Sequence, residues 1–124
     1  MKWPHTNLST DGALNGPHPR GFGAFPRVLG LYVRERGVLK LEEAVRKMTS
    51  LAAANAGIRD RGRIAAGQFA DLVLFDPRSV IDRATTATPQ APSDGIKMVW
   101  VNGVEVFKDG AASGQRPGQV VRAR

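Results

Sequence analysis

The sequence of 124 residues has no cysteine and only two histidines, His5 and His18. The lack of cysteine excludes disulfides, thiolate nucleophiles and cysteine-ligated zinc or iron–sulfur centres. A catalytic zinc ion usually takes about three protein ligands, most often histidine. We therefore expect no complete metalloenzyme site within this sequence and no metal ion held by the chain alone.

Long apolar runs are also missing. The longest, from Ala70 to Phe75, is interrupted by Asp71, whereas a membrane-spanning helix needs roughly 20 consecutive apolar residues. The first residues carry one cation but no apolar stretch of the kind found in a secretory signal. We therefore expect no membrane partner and a cytoplasmic location.

Acidic residues are few, since eleven Asp and Glu stand against eighteen Lys and Arg, a net charge of +7. A basic chain raises nucleic acid as a partner. The cations are nevertheless spread along the sequence. The one local excess follows Asp109 (Arg116, Arg122 and Arg124) and contains no aromatic residue on which a base could stack. We expect a solvated basic surface and no nucleic-acid partner.

Glycine and proline are abundant in the first part of the chain. Asp11-Gly12 and Asn15-Gly16-Pro17 are turn sequences, and this composition predicts a loop over residues 1–24. Pro26 suits the first position of a helix, and apolar residues follow it at the spacing of one helix face. Gly37 suits the left-handed residue that ends such a helix.

A second amphipathic helix is predicted from Leu41 to a stop at Gly57. Its apolar stripe would face a core. Its other face carries two oppositely charged pairs at helical spacing, Glu42–Arg46 and Glu43–Lys47, which we expect to be exposed.

From Gly62 the apolar period changes from about 3.6 to 2 residues, which indicates strands. Residues 70–77 predict a buried strand that is closed by a proline. Asn102-Gly103 is a strong hairpin signal after a further alternating stretch, and Asp109-Gly110 predicts another turn. Because helices precede antiparallel strands, the predicted fold class is α+β.

Three motifs in a fixed order carry the functional signal. They are Thr10-Asp11-Gly12 with His18-Pro19-Arg20, the helix end MTSLAA (residues 48–53), and the string GRIAAGQFADLVLFD (residues 62–76) followed by VWVNG (residues 99–103). Together with FPRVLG (residues 25–30), they closely resemble the C-terminal part of the N-acyl-D-amino-acid deacylases (D-aminoacylases) of the amidohydrolase superfamily. The resemblance covers essentially the whole chain.

The resemblance implies a particular domain organisation. We expect residues 1–57 to form the last active-site loop and the terminal helices of an incomplete (β/α)8 barrel. Residues 58–124 are expected to supply antiparallel strands of the family's small β-sandwich domain. The complete family fold holds one or two divalent metals, usually zinc, whose ligands lie upstream of the region matched here.

The resemblance also implies roles for two residues. Asp11 matches the aspartate of the family's Ser-Asp-Gly motif, which relays a proton from a metal-activated water to the leaving amine. Asp11 would contact the metal only together with ligands from missing segments. Arg20 matches an arginine near the substrate carboxylate, which a guanidinium can hold through two hydrogen bonds. Without the resemblance, Asp11 would be interpreted as a turn residue and Arg20 as a surface arginine.

The implied reaction is hydrolysis of the amide of N-acyl-D-amino acids to a carboxylate and a free D-amino acid. Because Asp11 would have no metal-bound water to act on, the chain is expected to be inactive in isolation. One alternative is a non-catalytic truncated or docking module, which predicts an exposed apolar face on helices 26–36 and 41–56. That module would self-associate or bind a separate barrel chain. The less favoured alternative is a small basic nucleic-acid binder.

Overall fold

The computed structural model of the protein describes residues 1–13 and 16–122, so Asn15 of the predicted turn and Arg124 of the basic tail lie outside it. Helices come first in the chain and a four-stranded antiparallel sheet follows, which confirms the predicted α+β class and its order. The assignment of the helices to an incomplete barrel stays a prediction.

The helical part consists of α1 (Arg20–Arg27), a π-helical segment (Val28–Glu35), α2 (Leu41–Met48) and α3 (Ser50–Asn55). The strands are β1 (Leu72–Phe75), β2 (Ile96–Val101), β3 (Val104–Lys108) and β4 (Ala111–Ala112), in the spatial order β1-β2-β3-β4. No helix within the described ranges is long and apolar enough to cross a membrane.

The first helix begins earlier than the sequence predicts, at Arg20 and not at Pro26, so the predicted loop over residues 1–24 ends at Pro19. Pro26 lies inside the helix, where it has no amide hydrogen to donate. The winding widens to a π-helix directly after α1. Gly37 ends this helical stretch as predicted, with a φ of +57° and its amide 3.1 Å from the carbonyl oxygen of Val33.

The second predicted helix is split into two. Thr49 leaves the helical region with φ −128° and ψ −93°, and its hydroxyl donates to the carbonyl oxygen of Val45 at 2.7 Å. Such a bond from a threonine side chain to the backbone competes with regular helix geometry. Gly57, with a φ of +71°, lies just beyond the second part, as expected for a helix end.

Of the two charged pairs predicted on α2, Glu43–Lys47 forms and Glu42–Arg46 does not. Arg46 binds Glu43 and not Glu42, through hydrogen bonds of 2.7 and 2.9 Å. Lys47 was expected on an exposed face but is fully buried, with Nζ 3.5 Å from Glu43 Oε1. Helical spacing identifies the face on which a residue lies, but it does not show which segment packs against that face.

This arrangement gives the stability of the fold a dependence on pH. The hydrogen bond from Arg46, with smaller contributions from the two neighbouring cations, lowers the pKa of Glu43 from 4.5 to about 2. A carboxyl group whose pKa is lower in the folded state stabilises the fold above its unfolded pKa. That contribution is therefore lost as the pH falls from 4.5 towards about 2.

We expect Glu43→Gln to reduce the loss of folding stability that occurs when the pH falls from neutral to about 3. The measurement is the urea midpoint at neutral pH and at about pH 3, compared with the unchanged chain. Glu42→Gln, at the exposed neighbouring position, is the matched control and should lose as much stability at low pH as the unchanged chain. If the urea midpoint fell by the same amount between neutral pH and about pH 3 in all three proteins, Glu43 would not be the source of the pH dependence of stability.

Both predicted turns of the sheet are confirmed. Asn102 and Gly103 have φ angles of +49° and +80° and join β2 to β3. Asp109 and Gly110 have φ angles of +46° and +89° and lead into β4. Two successive residues with positive φ are the requirement of the tight hairpin turn whose twist matches that of the strands.

The predicted buried strand over residues 70–77 is shorter and more exposed than expected. β1 covers only Leu72–Phe75 and lies at one edge of the sheet. Val73 is 55% exposed and Leu74 is 51% exposed. The apolar run therefore predicted the strand correctly. Its burial was predicted wrongly, because in the part of the chain that the structure describes no further layer covers Val73 and Leu74.

The buried core lies between the helices and the segment that follows β1. Its members are apolar side chains: Val28, Leu29, Leu39, Ala44 and Val80. Gly30 allows the helical stretch to approach this segment, since a Cβ there would lie 2.4 Å from Ile81 Cδ1 and 2.7 Å from the carbonyl oxygen of Val80. Arg34 donates to that same carbonyl at 2.6 Å. These contacts hold the π-helical segment, which directly continues α1.

Candidate functional site

The two residues singled out from the sequence lie side by side. Arg20 Nη1 is 3.1 Å from Asp11 Oδ2. Both side chains are accessible to solvent, because Asp11 is 83% exposed and Arg20 is 47% exposed. The structure thus brings together a carboxylate and a guanidinium, the two groups that the sequence motifs indicated.

The turn around Asp11 has two local side-chain-to-backbone hydrogen bonds. Asp11 has a φ of +47°, a left-handed conformation that aspartate adopts more readily than most residues. The hydroxyl of Ser9 accepts from the amide of Asp11 at 3.4 Å, and that of Thr10 accepts from the amide of Gly12 at 3.2 Å. These bonds stabilise the turn from which the carboxylate projects.

The start of α1 places the guanidinium beside this turn. The amide of Arg20 donates to His18 Nδ1 at 3.1 Å, so one of the free donors at the helix start has a partner. Gly12 and Gly21 approach each other so closely that a Cβ at Gly12 would lie 2.5 Å from Gly21 Cα. Only a residue without a side chain fits between the turn and the helix at this point.

A cleft of about 360 Å³ opens next to Arg20. Its walls are formed by His18, Pro19, Arg20, Gly23, Ala24, Arg27 and Asp82. Arg27 Nε and Nη2 lie 3.0 and 2.7 Å from Asp82 Oδ2, and the Asp82 side chain is only 8% exposed. Sequence reasoning missed Arg27 and Asp82, because no local pattern links residues that are 55 positions apart.

The described residues do not fit a zinc ion on their own. Within residues 1–13 and 16–122, no three His, Cys, Asp or Glu side chains gather where they could hold a metal ion. A zinc site needs about three or four ligands, and Asp11 is a single carboxylate that already contacts a cation. A metal contact of Asp11 together with ligands from other segments stays a prediction, and we assign no chemical step to a metal here.

Comparison with known proteins identifies the family and shows similarity to curated deacylases. The model of the amidohydrolase family matches residues 5–107. D-aminoacylase of Alcaligenes xylosoxydans xylosoxydans is 48% identical over 118 residues, which are 94% of this chain and 24% of that enzyme. N-acyl-D-glutamate deacylase of the same organism is 50% identical over 117 residues, which are 93% of this chain and 24% of that enzyme. The chain spans about a quarter of the length of these curated relatives.

Solved structures give the same result. A D-aminoacylase mutant in complex with copper chloride superposes with a TM-score of 0.82 at 48% identity, over 85% of this chain and 22% of that one. N-acyl-D-glutamate deacylase from Bordetella bronchiseptica, complexed with zinc and a phosphonate that mimics the tetrahedral intermediate, superposes with a TM-score of 0.78 at 53% identity. The second comparison covers 86% of this chain and 22% of that one. The α+β arrangement described above thus matches parts of metal-containing deacylase structures.

Proposed function

Because the chain belongs to the amidohydrolase family, we propose that it forms the C-terminal part of a metal-dependent N-acyl-D-amino-acid deacylase. The complete enzyme would hydrolyse the amide of an N-acyl-D-amino acid and release a carboxylate and a D-amino acid. The observation that carries this proposal is the 3.1 Å pairing of Asp11 with Arg20. It occurs in a chain that is 48–50% identical to three curated deacylases.

We assign proton transfer to Asp11. Hydrolysis of an amide requires a base that takes a proton from the attacking water and an acid that delivers a proton to the leaving nitrogen. An exposed carboxylate on a fixed turn can do both in succession, accepting the proton at Oδ1 while Oδ2 faces Arg20. Asp11 would thus supply the acid–base function of the complete enzyme.

We assign recognition of the substrate carboxylate to Arg20. A guanidinium has five N–H donors in a fixed planar arrangement. The contact with Asp11 uses Nη1, so the other donors can hold a carboxylate through two hydrogen bonds. The adjoining cleft of about 360 Å³ offers room for the rest of a small substrate.

The proposed division of the chain follows from this assignment. Residues 1–57 would belong to the active-site half as the last loop and terminal helices of a barrel, and residues 58–124 would belong to the small β-sandwich domain. In support, the Asp11–Arg20 pair and the helices precede residue 57, whereas the four strands lie between residues 72 and 112.

The docking-module alternative receives less support from the structure. That alternative predicts a large exposed apolar face on helices 26–36 and 41–56. Among the described residues, the large apolar side chains that are more than half exposed all lie outside both helices, at Trp3, Ile64, Val73, Leu74 and Val120, and Phe22 on α1 is 39% exposed. The helices instead contribute most of the buried core.

The decisive experiment joins this chain to the rest of a relative. In such a chimera, the matching quarter of the Alcaligenes D-aminoacylase is replaced by this chain, and release of free amine from N-acetyl-D-amino acids is measured with zinc present. We expect activity from the chimera and only background from the 124-residue chain alone. A folded, zinc-loaded chimera without activity would contradict the proposed function, and activity of the chain alone would contradict its expected inactivity.

Arg20→Ala in the chimera is expected to raise KM for N-acetyl-D-amino acids by about tenfold or more, since hydrogen bonds to charged groups contribute ~1.5–3 kcal/mol. KM for the corresponding amides, which lack the carboxylate, should change much less. Arg36→Ala is the matched control, because Arg36 is an exposed arginine that stacks over the Tyr32 ring at 5.8 Å. Equal increases for both substrates would refute carboxylate recognition by Arg20.

A further inference from the structure

The segment that leads into Asp11 is held in place by helix α2. Residues 3–8 form neither a helix nor a strand. Lys47 Nζ donates to the carbonyl oxygens of Trp3 and Thr6 at 2.5 and 2.9 Å. The backbone carbonyl of Lys47 in turn accepts from the amide of Leu8 at 3.1 Å. One residue of α2 thus fixes both ends of the segment.

Two further side chains hold the middle of the same segment. Arg46 Nη2 donates to the carbonyl oxygen of Pro4 at 2.7 Å. Asn55 Nδ2, at the end of α3, lies 2.9 Å from Asn7 Oδ1 and 3.4 Å from the carbonyl oxygen of His5. Side-chain donors of the two helices therefore replace the backbone partners that a strand or a helix would provide.

Lys47 is the central contact of this set. Its side chain is 0% exposed, and its ammonium group has three acceptors around it, the two carbonyls and Glu43 Oε1 at 3.5 Å. An ammonium has three donors, so each of them can be satisfied. Because a buried charge without partners is very costly, displacement of residues 3–6 from Lys47 is strongly opposed.

We propose that Lys47 is a positioning residue for Asp11. The bond between the Leu8 amide and the Lys47 carbonyl lies three residues before Asp11, and an extended residue spans at most ~3.6 Å. The hydroxyls of Ser9 and Thr10 then fix the turn itself. A continuous set of bonds thus runs from the core of the helical part to the carboxylate beside Arg20. The inference rests on the proposed function, since it concerns the reactivity of Asp11.

The inference predicts a selective defect when Lys47 is lost. Proton transfer needs a distance of about 2.6–3.2 Å between the heavy atoms, and a misplacement of ~1 Å can cost ~100-fold in rate. Cleavage of an amide depends on protonation of its nitrogen, whereas an ester releases a far better leaving group. A displaced Asp11 therefore slows amide hydrolysis more than ester hydrolysis.

The test measures kcat/KM of the chimera for an N-acetyl-D-amino acid and for the O-acetyl ester of the matching D-2-hydroxy acid. We expect Lys47→Met to lower the amide-to-ester ratio by about tenfold or more. Lys47→Arg should restore most of it, and Lys40→Met, at an exposed lysine, should leave it unchanged. The ratio does not depend on how much of the enzyme is folded, so a purely structural role of Lys47 would not move it.

Two further variants make the outcome decisive. If Lys47→Met does not fold, Lys47→Gln decides instead, because its shorter, neutral side chain keeps an N–H donor in the site but cannot reach both the Trp3 and the Thr6 carbonyl. An unchanged ratio in the folded variant would overturn the positioning role, provided that Asp11→Asn lowers the ratio. An unchanged ratio in Asp11→Asn would instead overturn the acid–base role proposed for Asp11, on which the inference rests.

Discussion

Asp11→Asn is expected to lower kcat of the chimeric deacylase by about 100- to 10,000-fold, which is the usual contribution of general acid–base catalysis. Asparagine has the same shape and tolerates the φ of +47° found at this position. It has no carboxylate that could take a proton from water and deliver it to the leaving nitrogen. KM should change little, because the proposed carboxylate site at Arg20 keeps its guanidinium. Steady-state kinetics with N-acetyl-D-amino acids measures both constants.

The chain offers a matched control for this substitution. Asp109 is also exposed and has a φ of +46°, but it lies on the turn between β3 and β4. Asp109→Asn makes the same chemical change in the same backbone conformation and should leave kcat unaltered. A decrease of similar size in both variants, or a decrease of less than about tenfold at Asp11, would remove the acid–base role from Asp11.

Lys47→Met is expected to lower the free energy of unfolding of the chain by about 2–3 kcal/mol. The substitution keeps the volume of the side chain but removes the charged donor of the Trp3 and Thr6 carbonyls, and a hydrogen bond to a charged group contributes ~1.5–3 kcal/mol. Relief from burying the ammonium offsets part of this loss. Urea unfolding followed by circular dichroism measures the change.

Lys40→Met is the comparison for this measurement. Lys40 precedes α2, is exposed and gives the helix no side-chain cap, so its replacement should shift stability by no more than about 0.5 kcal/mol. A Lys47→Met protein as stable as the unchanged chain would show that residues 3–8 rehydrate without cost. The positioning role of Lys47 would then lack its energetic basis.

The sequence predicted those features that depend on a few neighbouring residues. Asn102-Gly103, Asp109-Gly110 and Gly37 adopt the positive φ angles that their residue types favour. The change of apolar period at Gly62 lies between the last helix, which ends at Asn55, and the first strand, which begins only at Leu72. Such features are predictable because their free energy is decided by the backbone preferences of adjacent residues.

The start of the first helix shows where local preference was insufficient. The α1 sequence RGFGAFPR contains two glycines and a proline, all of which disfavour a helix interior. The helix nevertheless forms, with Gly23 packed so closely that a Cβ there would lie 3.0 Å from Asp82 Cβ. Arg27 pairs with the same Asp82. The local sequence disfavours this helix, and the helix contacts a segment that is distant in the chain.

The sequence by itself determined the order of helices and strands and the hairpin turns, while the resemblance to a family singled out the two residues of the candidate site. Only the tertiary structure decided that Asp11 meets Arg20 at 3.1 Å and that Lys47 is buried beneath the segment leading to Asp11. The physical reason is the range of the interactions. Turn and helix preferences act between neighbours in the chain, whereas burial and ion pairing depend on which distant segments pack together.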